Sequence, residues 1–227
     1  PCRRGCGRCF GFRSRGCDRA HKSLSGWAFP CAGYFLPALL QGLGCQPGET
    51  VFDLVLRRAQ KLTVAERMRG EGSVCSFDLY PSRTALIEQG AARLGITSVY
   101  PAVADASCYN EAYGKADRVL CDVPCSGFGI VRRKPEIRYK PQGEVDKLPD
   151  LQYLILRNAA RYVKKGGRLV YSTCTFAPAE NEGSISRFLA MHEEFEIVPI
   201  DKKALGSRSC DGIPGCVENP APGIEGT

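Results

Sequence analysis

Residues 45–201 of this 227-residue chain predict a doubly wound α/β fold built on a mostly parallel sheet. Three observations carry that expectation. Short apolar runs alternate with longer stretches of helical period. Turn residues separate the two kinds of segment. Most of the apolar runs carry an aspartate at or just beyond their carboxyl end.

Gln46-Pro47-Gly48-Glu49 is a turn, and residues 50–54 after it read as a short buried strand carrying Asp53. Ser73 to Leu79 reads as the next strand, with Asp78 near its end. Ser82 to Leu94 reads as a helix capped by Ser82 and stopped by Gly95. Gly90 in its middle costs about 1 kcal/mol relative to alanine. Residues 99–103 form a short strand with Asp105 beyond it, and 118–122 another that ends in Asp122. Leu148 to Val163 reads as a helix, with Leu151, Leu154, Ile155, Ala159 and Tyr162 on one face. Lys164 to Gly167 ends it, 168–172 is the next strand, and Glu180 to His192 the last helix. Open α/β sheets bind ligands beyond the carboxyl ends of their strands. Asp53, Asp78, Asp105, Asp122 and Cys174 should therefore gather along one edge.

The flanks read differently. Residues 1–44 form an irregular arm without strand or helix period, and 202–227 an irregular tail. Six of the 13 cysteines lie within the first 45 residues, and residues 1–44 carry +6 of the net charge of +7. The body is thus close to neutral, and its net charge does not identify a partner. An odd cysteine number in a chain of this length argues for reduced thiols rather than a disulfide framework. Cys2, Cys6, Cys9 and Cys17 could supply four thiolates to zinc, but they lack the paired spacing of such sites, and the expectation is no metal. No apolar run approaches the roughly 18 residues of a membrane span, and the first residues lack the apolar core of a signal peptide. The expectation is a cytoplasmic, monomeric protein.

Two segments carry chemistry. One is Asp122-Val123-Pro124-Cys125-Ser126-Gly127, the other Tyr171-Ser172-Thr173-Cys174-Thr175 followed by Glu180-Asn181-Glu182. Each puts a cysteine just after a strand. Together they resemble the motifs of the RNA 5-methylcytosine methyltransferases, especially the branch acting on bacterial 16S rRNA, over about Gln46 to Ile200. The resemblance implies a Rossmann-like class I methyltransferase fold, S-adenosylmethionine as cofactor and RNA as substrate. It implies Cys174 as the nucleophile that adds to the cytosine ring, and Cys125 as the residue that assists product release. Pro124 belongs to the same motif. Asp122 would contact the base or the methionine end of the cofactor, Asp78 the ribose, and Asp105 the adenine. The chemistry requires a thiolate because C5 of cytosine is a poor nucleophile until C6 is attacked. Cys174 should therefore have a lowered pKa, although no cation stands near it in sequence. Cys75, Cys108, Cys121, His21 and His192 have no such context.

Arg132, Arg133, Lys134, Arg138 and Lys140 follow the first motif and could hold RNA phosphates, with Tyr139 as a stacking residue. One segment departs from the family. Its cofactor loop there is Asp-Leu-Cys-Ala-Ala-Pro-Gly-Gly-Lys, whereas this chain reads Asp53-Leu54-Val55-Leu56-Arg57-Arg58-Ala59-Gln60-Lys61. Bulky residues replace the small ones that admit a cofactor close to the backbone. The codons TGT GCT GCG CCG GGC encode Cys-Ala-Ala-Pro-Gly; read one base later, with a following G, they encode Val-Leu-Arg-Arg-Ala, which is Val55 to Ala59. Trp27 to Gln41 can likewise be encoded so that a one-base shift yields a segment resembling the one that precedes this domain in the family. The loop therefore suggests out-of-frame translation, and a methyltransferase-like RNA-binding protein without activity is the alternative reading. A DNA cytosine methyltransferase is a further rival, but such enzymes usually employ the Pro-Cys cysteine as nucleophile and lack the second.

Overall fold

The computed structural model describes residues 7–14, 26–29, 40, 42–54 and 58–198. Eight strands form one sheet: β1 (Gly7–Ser14), β2 (Gly26–Phe29), β3 (Thr50–Asp53), β4 (Ser73–Asp78), β5 (Val99–Val103), β6 (Ala116–Asp122), β7 (Val163–Thr173) and β8 (Phe195–Val198). Their order is β2-β1-β7-β6-β3-β4-β5, with β8 also paired to β1. The run β7-β6-β3-β4-β5 is parallel throughout. Helices among the described residues include α1 (Arg58–Arg67), α2 (Pro81–Arg93), the short α3 (Gln142–Val145), α4 (Leu148–Tyr162) and α5 (Glu182–Met191).

The chain starts the parallel body at β3, winds outward through β4 and β5, then returns to the other side through β6 and β7. That reversal places a topological switch between β3 and β6, whose carboxyl ends are Asp53 and Asp122. Alternation along the strands separates two cores. Phe52, Phe77, Val119 and Leu169 point to the face covered by α4 and α5. Val51, Val74, Leu120 and Val170 point to the face covered by α1 and α2. The Phe52 ring meets Phe77 and Tyr162 at centroid distances of 5.4 and 5.6 Å, both edge to face. Leu156 on α4 is fully buried, and truncating such a side chain to alanine costs about 2–5 kcal/mol.

The differences from the sequence reading have local causes. Within the arm, residues 7–14 and 26–29 run as antiparallel strands, with β1 paired along β7 from Arg8↔Thr173 to Arg13↔Arg168. Glycines and arginines interrupt the apolar residues of Gly7–Ser14, so the segment lacks the apolar run by which the other strands are read. Ser82 is not the cap of α2. Tyr80 occupies that position with no side-chain cap bond, and Pro81 opens the helix with its fixed φ. Gly95 ends the helix region as expected, at φ +66°. Leu151 is exposed; the buried face of α4 runs instead through Gln152, Ile155, Leu156, Ala159 and Tyr162. Lys164 to Gly167 lie inside β7 as a bulge, where two steps along β6 (Ala116 to Arg118) face five along β7 (Val163 to Arg168). Gly167 packs against main chain there, since a Cβ would stand 2.8 Å from the carbonyl of Asp117. Glu180 closes a 3-10 turn (Pro178–Glu180) rather than opening α5. No helix was expected over 58–67, and α1 fills that span.

No described helix is long and apolar enough to cross a membrane. Among the described residues no group of three or more histidine, cysteine, aspartate or glutamate side chains could hold a metal ion. Cys2, Cys6, Cys17 and His21 lie outside the described residues, as do the 202–227 tail and most of the 1–44 arm.

Candidate active site

The two cysteines predicted as functional are brought together. Cys125 follows β6 and Cys174 follows β7, neighbouring parallel strands in register at Asp122↔Ser172. Their sulfur atoms lie 2.7 Å apart, both half-buried. The main-chain N–H of Cys174 donates to Sγ of Cys125 at 3.2 Å. The hydrogen bond to Cys174, followed by burial, pushes the Cys125 thiol well above the ordinary thiol range. Pro124 is exposed at the same edge. The Asp122 carboxylate accepts from the hydroxyl of the buried Ser172 at 2.8 Å, which fixes it on β6 beside the pair.

The loops bearing the thiols are tied to each other and to the core. The amide of Gly129 donates to the Cys174 carbonyl at 3.0 Å, and the Ser126 and Thr175 hydroxyls meet at 2.8 Å. The turn through Gly127 demands φ +79°, a conformation that favours glycine. Buried Glu180 accepts from the Ser126 amide at 2.9 Å. Buried Asn181 donates to the carbonyls of Thr175 and Ala177 at 3.2 and 2.8 Å. Gln152, Ser126, Thr175 and the precise use of Glu180 and Asn181 were missed from the sequence. The available signal was Gln152 itself, one of two polar residues, with Asn158, among the buried residues of α4.

Asp78, at the end of β4, is buried, with its Oδ1 accepting from the Tyr80 amide at 3.0 Å and facing Arg83 at 3.7 Å. Asp105 lies beyond β5 and is exposed; its Oδ1 accepts from both the amide and the hydroxyl of Ser107. Asn158 of α4 donates to the carbonyls of Ala106 and Ser107 and so holds that turn against the helix. Leu79, Tyr80 and Val103 expose apolar surface beside these two acids. Arg58, Ala59, Gln60 and Lys61 stand at the start of α1, while Val55, Leu56 and Arg57 lie outside the described residues.

Arg132, Arg133, Lys134 and Arg138 are exposed on the segment after the Cys125 loop, and Tyr139 is 85% exposed. Lys140 does something the sequence did not indicate: its Nζ donates to the main-chain carbonyls of Cys125 and Ser126 at 3.3 and 2.9 Å. Phe176, two residues past Cys174, is exposed and tilts towards Phe128 at a centroid distance of 6.1 Å. Cys121 is fully buried; burial first, then the charges of Asp122 and Asp53, push its thiol far up. His192 stacks on Phe188 and bonds Glu194, away from the thiol pair.

A parallel sheet wound in both directions, covered by helices and presenting acids and thiols at its carboxyl edge, is a Rossmann-like fold of the kind class I methyltransferases share. The model of the 16S rRNA methyltransferase RsmB/F family matches residues 40–212, and the chain belongs to that family. A Bacillus subtilis (strain 168) protein named probable ribosomal RNA small subunit methyltransferase B is 43% identical over 152 residues, 65% of this chain and 34% of that protein. The solved structure of PH0851 aligns with a TM-score of 0.69 at 29% identity, over 86% of this chain and 53% of that one. The structure of NSun6 from Pyrococcus horikoshii with SFG aligns at a TM-score of 0.63 and 23% identity, over 73% of this chain and 42% of that one. The chain spans about a third of the length of the curated relatives it matches.

Proposed function

We propose that this chain transfers a methyl group from S-adenosylmethionine to C5 of a cytosine in RNA, with 16S rRNA as the substrate its relatives' names favour. The observation that carries the reading is the 2.7 Å approach of the Cys125 and Cys174 sulfurs at the carboxyl edge of adjacent parallel strands.

The residues present fit the adenosine half of the cofactor. Asp78 offers a buried carboxylate at the end of β4, Asp105 another beyond β5, and exposed Leu79, Tyr80 and Val103 supply apolar surface for a flat ring. Asp122 stands at the switch point, towards the methionine end. When bound, the cofactor supplies an electrophilic methyl group on a sulfonium. Cys174 adds its sulfur to C6 of the cytosine, and the electron pair of the C5–C6 double bond moves to C5, which takes the methyl group. Water entering from the open carboxyl edge takes the C5 proton; the C–H electron pair restores the C5–C6 double bond, and the Cys174 sulfur leaves with the electron pair of its bond to C6. Cys125, held as a thiol by its hydrogen bond and burial, can donate S–H to that sulfur and assist the release. The exposed cations Arg132, Arg133, Lys134 and Arg138 hold the phosphates of the incoming strand.

Incubation with S-adenosylmethionine and unmethylated 16S rRNA, followed by nucleoside mass spectrometry, tests this. One new 5-methylcytidine is expected; none, with intact folded protein, contradicts it. A second reading, an RNA-binding protein without methyl transfer, is favoured by the bulky residues at 55–58. Calorimetric titration separates the two, since the inactive protein binds RNA but takes up no S-adenosylmethionine.

A further inference from the structure

We propose that Gln152 and Glu180 are positioning residues that set the place of Cys125 beside Cys174. The inference deepens the reading above, in which the two thiols work as a pair.

The Pro124-Cys125-Ser126 stretch has no helix or strand of its own, so its shape depends on what holds it. The main-chain groups on either side of Cys125 are both held. The Pro124 carbonyl accepts from Gln152 Nε2 at 2.9 Å, and the Ser126 amide donates to Glu180 Oε2 at 2.9 Å. Gln152 Nε2 also donates to that same carboxylate oxygen at 2.8 Å, which joins the two holds into one brace. The Tyr171 hydroxyl donates to the Glu180 carbonyl at 2.7 Å and anchors the brace to β7. Gln152, Glu180 and Tyr171 are all buried, so water does not compete for these bonds, and removing one partner strands another.

The adjacent residue does the corresponding work on the other loop. Asn181 donates to the Thr175 and Ala177 carbonyls, and its Oδ1 accepts from the Thr173 hydroxyl at 2.7 Å. Two consecutive residues, Glu180 and Asn181, thus hold the two cysteine loops. The sulfur–sulfur spacing is set by one dipeptide together with Gln152 on α4. A position serving only burial on that helix face would be filled by an aliphatic side chain.

Equilibrating the full chain with glutathione and glutathione disulfide measures how closely the thiols are held. In that exchange the Cys125 and Cys174 thiols are oxidised to one disulfide while glutathione disulfide is reduced to two glutathione molecules. Mass spectrometry of the Cys125–Cys174 peptide pair gives the effective molarity. Gln152→Met keeps the volume and removes the donor, and is expected to lower that value roughly tenfold or more. Glu180→Gln retains an oxygen to accept from Ser126 and should stay within about threefold of the parent. An unchanged effective molarity in Gln152→Met overturns the proposal. Should that variant lose its cooperative unfolding transition, Gln152→Asn, one methylene too short to reach Pro124, is read the same way. Failure of the parent to methylate RNA would remove the methyl-transfer reading while this thiol measurement still decides the brace.

Discussion

The guanidinium of Arg118 grips the carboxylate of Glu49 through two hydrogen bonds, Nε at 2.9 Å and Nη2 at 2.6 Å, and ties β6 to the turn that opens β3. This fastens the amino-terminal end of the two strands whose other ends form the switch point. Both side chains are largely buried, at 16% and 20% exposure. Arg118→Met removes the charged partner and two of the hydrogen bonds of the Glu49 carboxylate, leaving it the Gln46 amide, and is expected to lower stability by about 1–3 kcal/mol. The urea midpoint should drop accordingly; a midpoint equal to the parent's contradicts the assignment of this pair as a fastening.

The same end of the sheet holds a glycine at a position that disfavours any side chain. Gly72 has φ +96°, and a Cβ there would stand 2.3 Å from the Glu49 carbonyl and 2.7 Å from Met68 Cε. Gly72→Ala should cost on the order of 1–3 kcal/mol from backbone strain alone. Denaturant titration checks it, and a loss under about 0.5 kcal/mol would show that the turn relaxes freely.

Alkaline pH should weaken the fold. Burial raises the thiols of Cys75 and Cys121 and the phenol of Tyr171, and the hydrogen bond to Cys174 with burial raises Cys125. In the unfolded chain thiols titrate near their ordinary value of about 9. Below that pH both states hold these protons and stability is complete. Above it the unfolded chain releases protons that the folded chain keeps, so stability falls as pH rises. The loss is up to about 1.4 kcal/mol per pH unit for a fully buried thiol such as Cys121. Urea midpoints at pH 7.5 and pH 10 compare the two regimes, and equal midpoints contradict the argument.

The acid at the end of β4 should matter to the cofactor more than to the fold. Asp78→Asn keeps an oxygen for the Tyr80 amide and removes the charge. Its affinity for S-adenosylmethionine should fall roughly tenfold, about 1.4 kcal/mol, by calorimetry, with little change in thermal midpoint. A parallel loss of both would make Asp78 a structural residue.

Much of the sheet was legible because each buried strand is a short apolar run closed by an acid or a turn. β3 to β6 and the thiol pair follow from that pattern and from two motifs. The brace was not legible. Gln152 and Glu180 lie 28 positions apart and meet only because α4 packs across the loops after β6 and β7. β1 was hidden for another reason: glycines and arginines break up its apolar residues, so Gly7 to Ser14 shows no apolar run like those of β3 to β6. Leu151 misled because a leucine at helical spacing reads as core, whereas the register of α4 turns it outward. The departure at 55–59 is a matter for the DNA: sequencing the encoding gene across those codons should reveal the family's loop one base out of frame, and codons incompatible with that reading would leave the loop a true variant.

The most direct test of the thiol-pair account is covalent trapping with RNA carrying 5-fluorocytosine at the target position, in the presence of S-adenosylmethionine. Fluorine at C5 prevents release, so the adduct between cysteine and base persists on a denaturing gel. The parent and Cys125→Ser should both form it, and Cys174→Ser should form none. An adduct that survives in Cys174→Ser and disappears in Cys125→Ser would contradict the account.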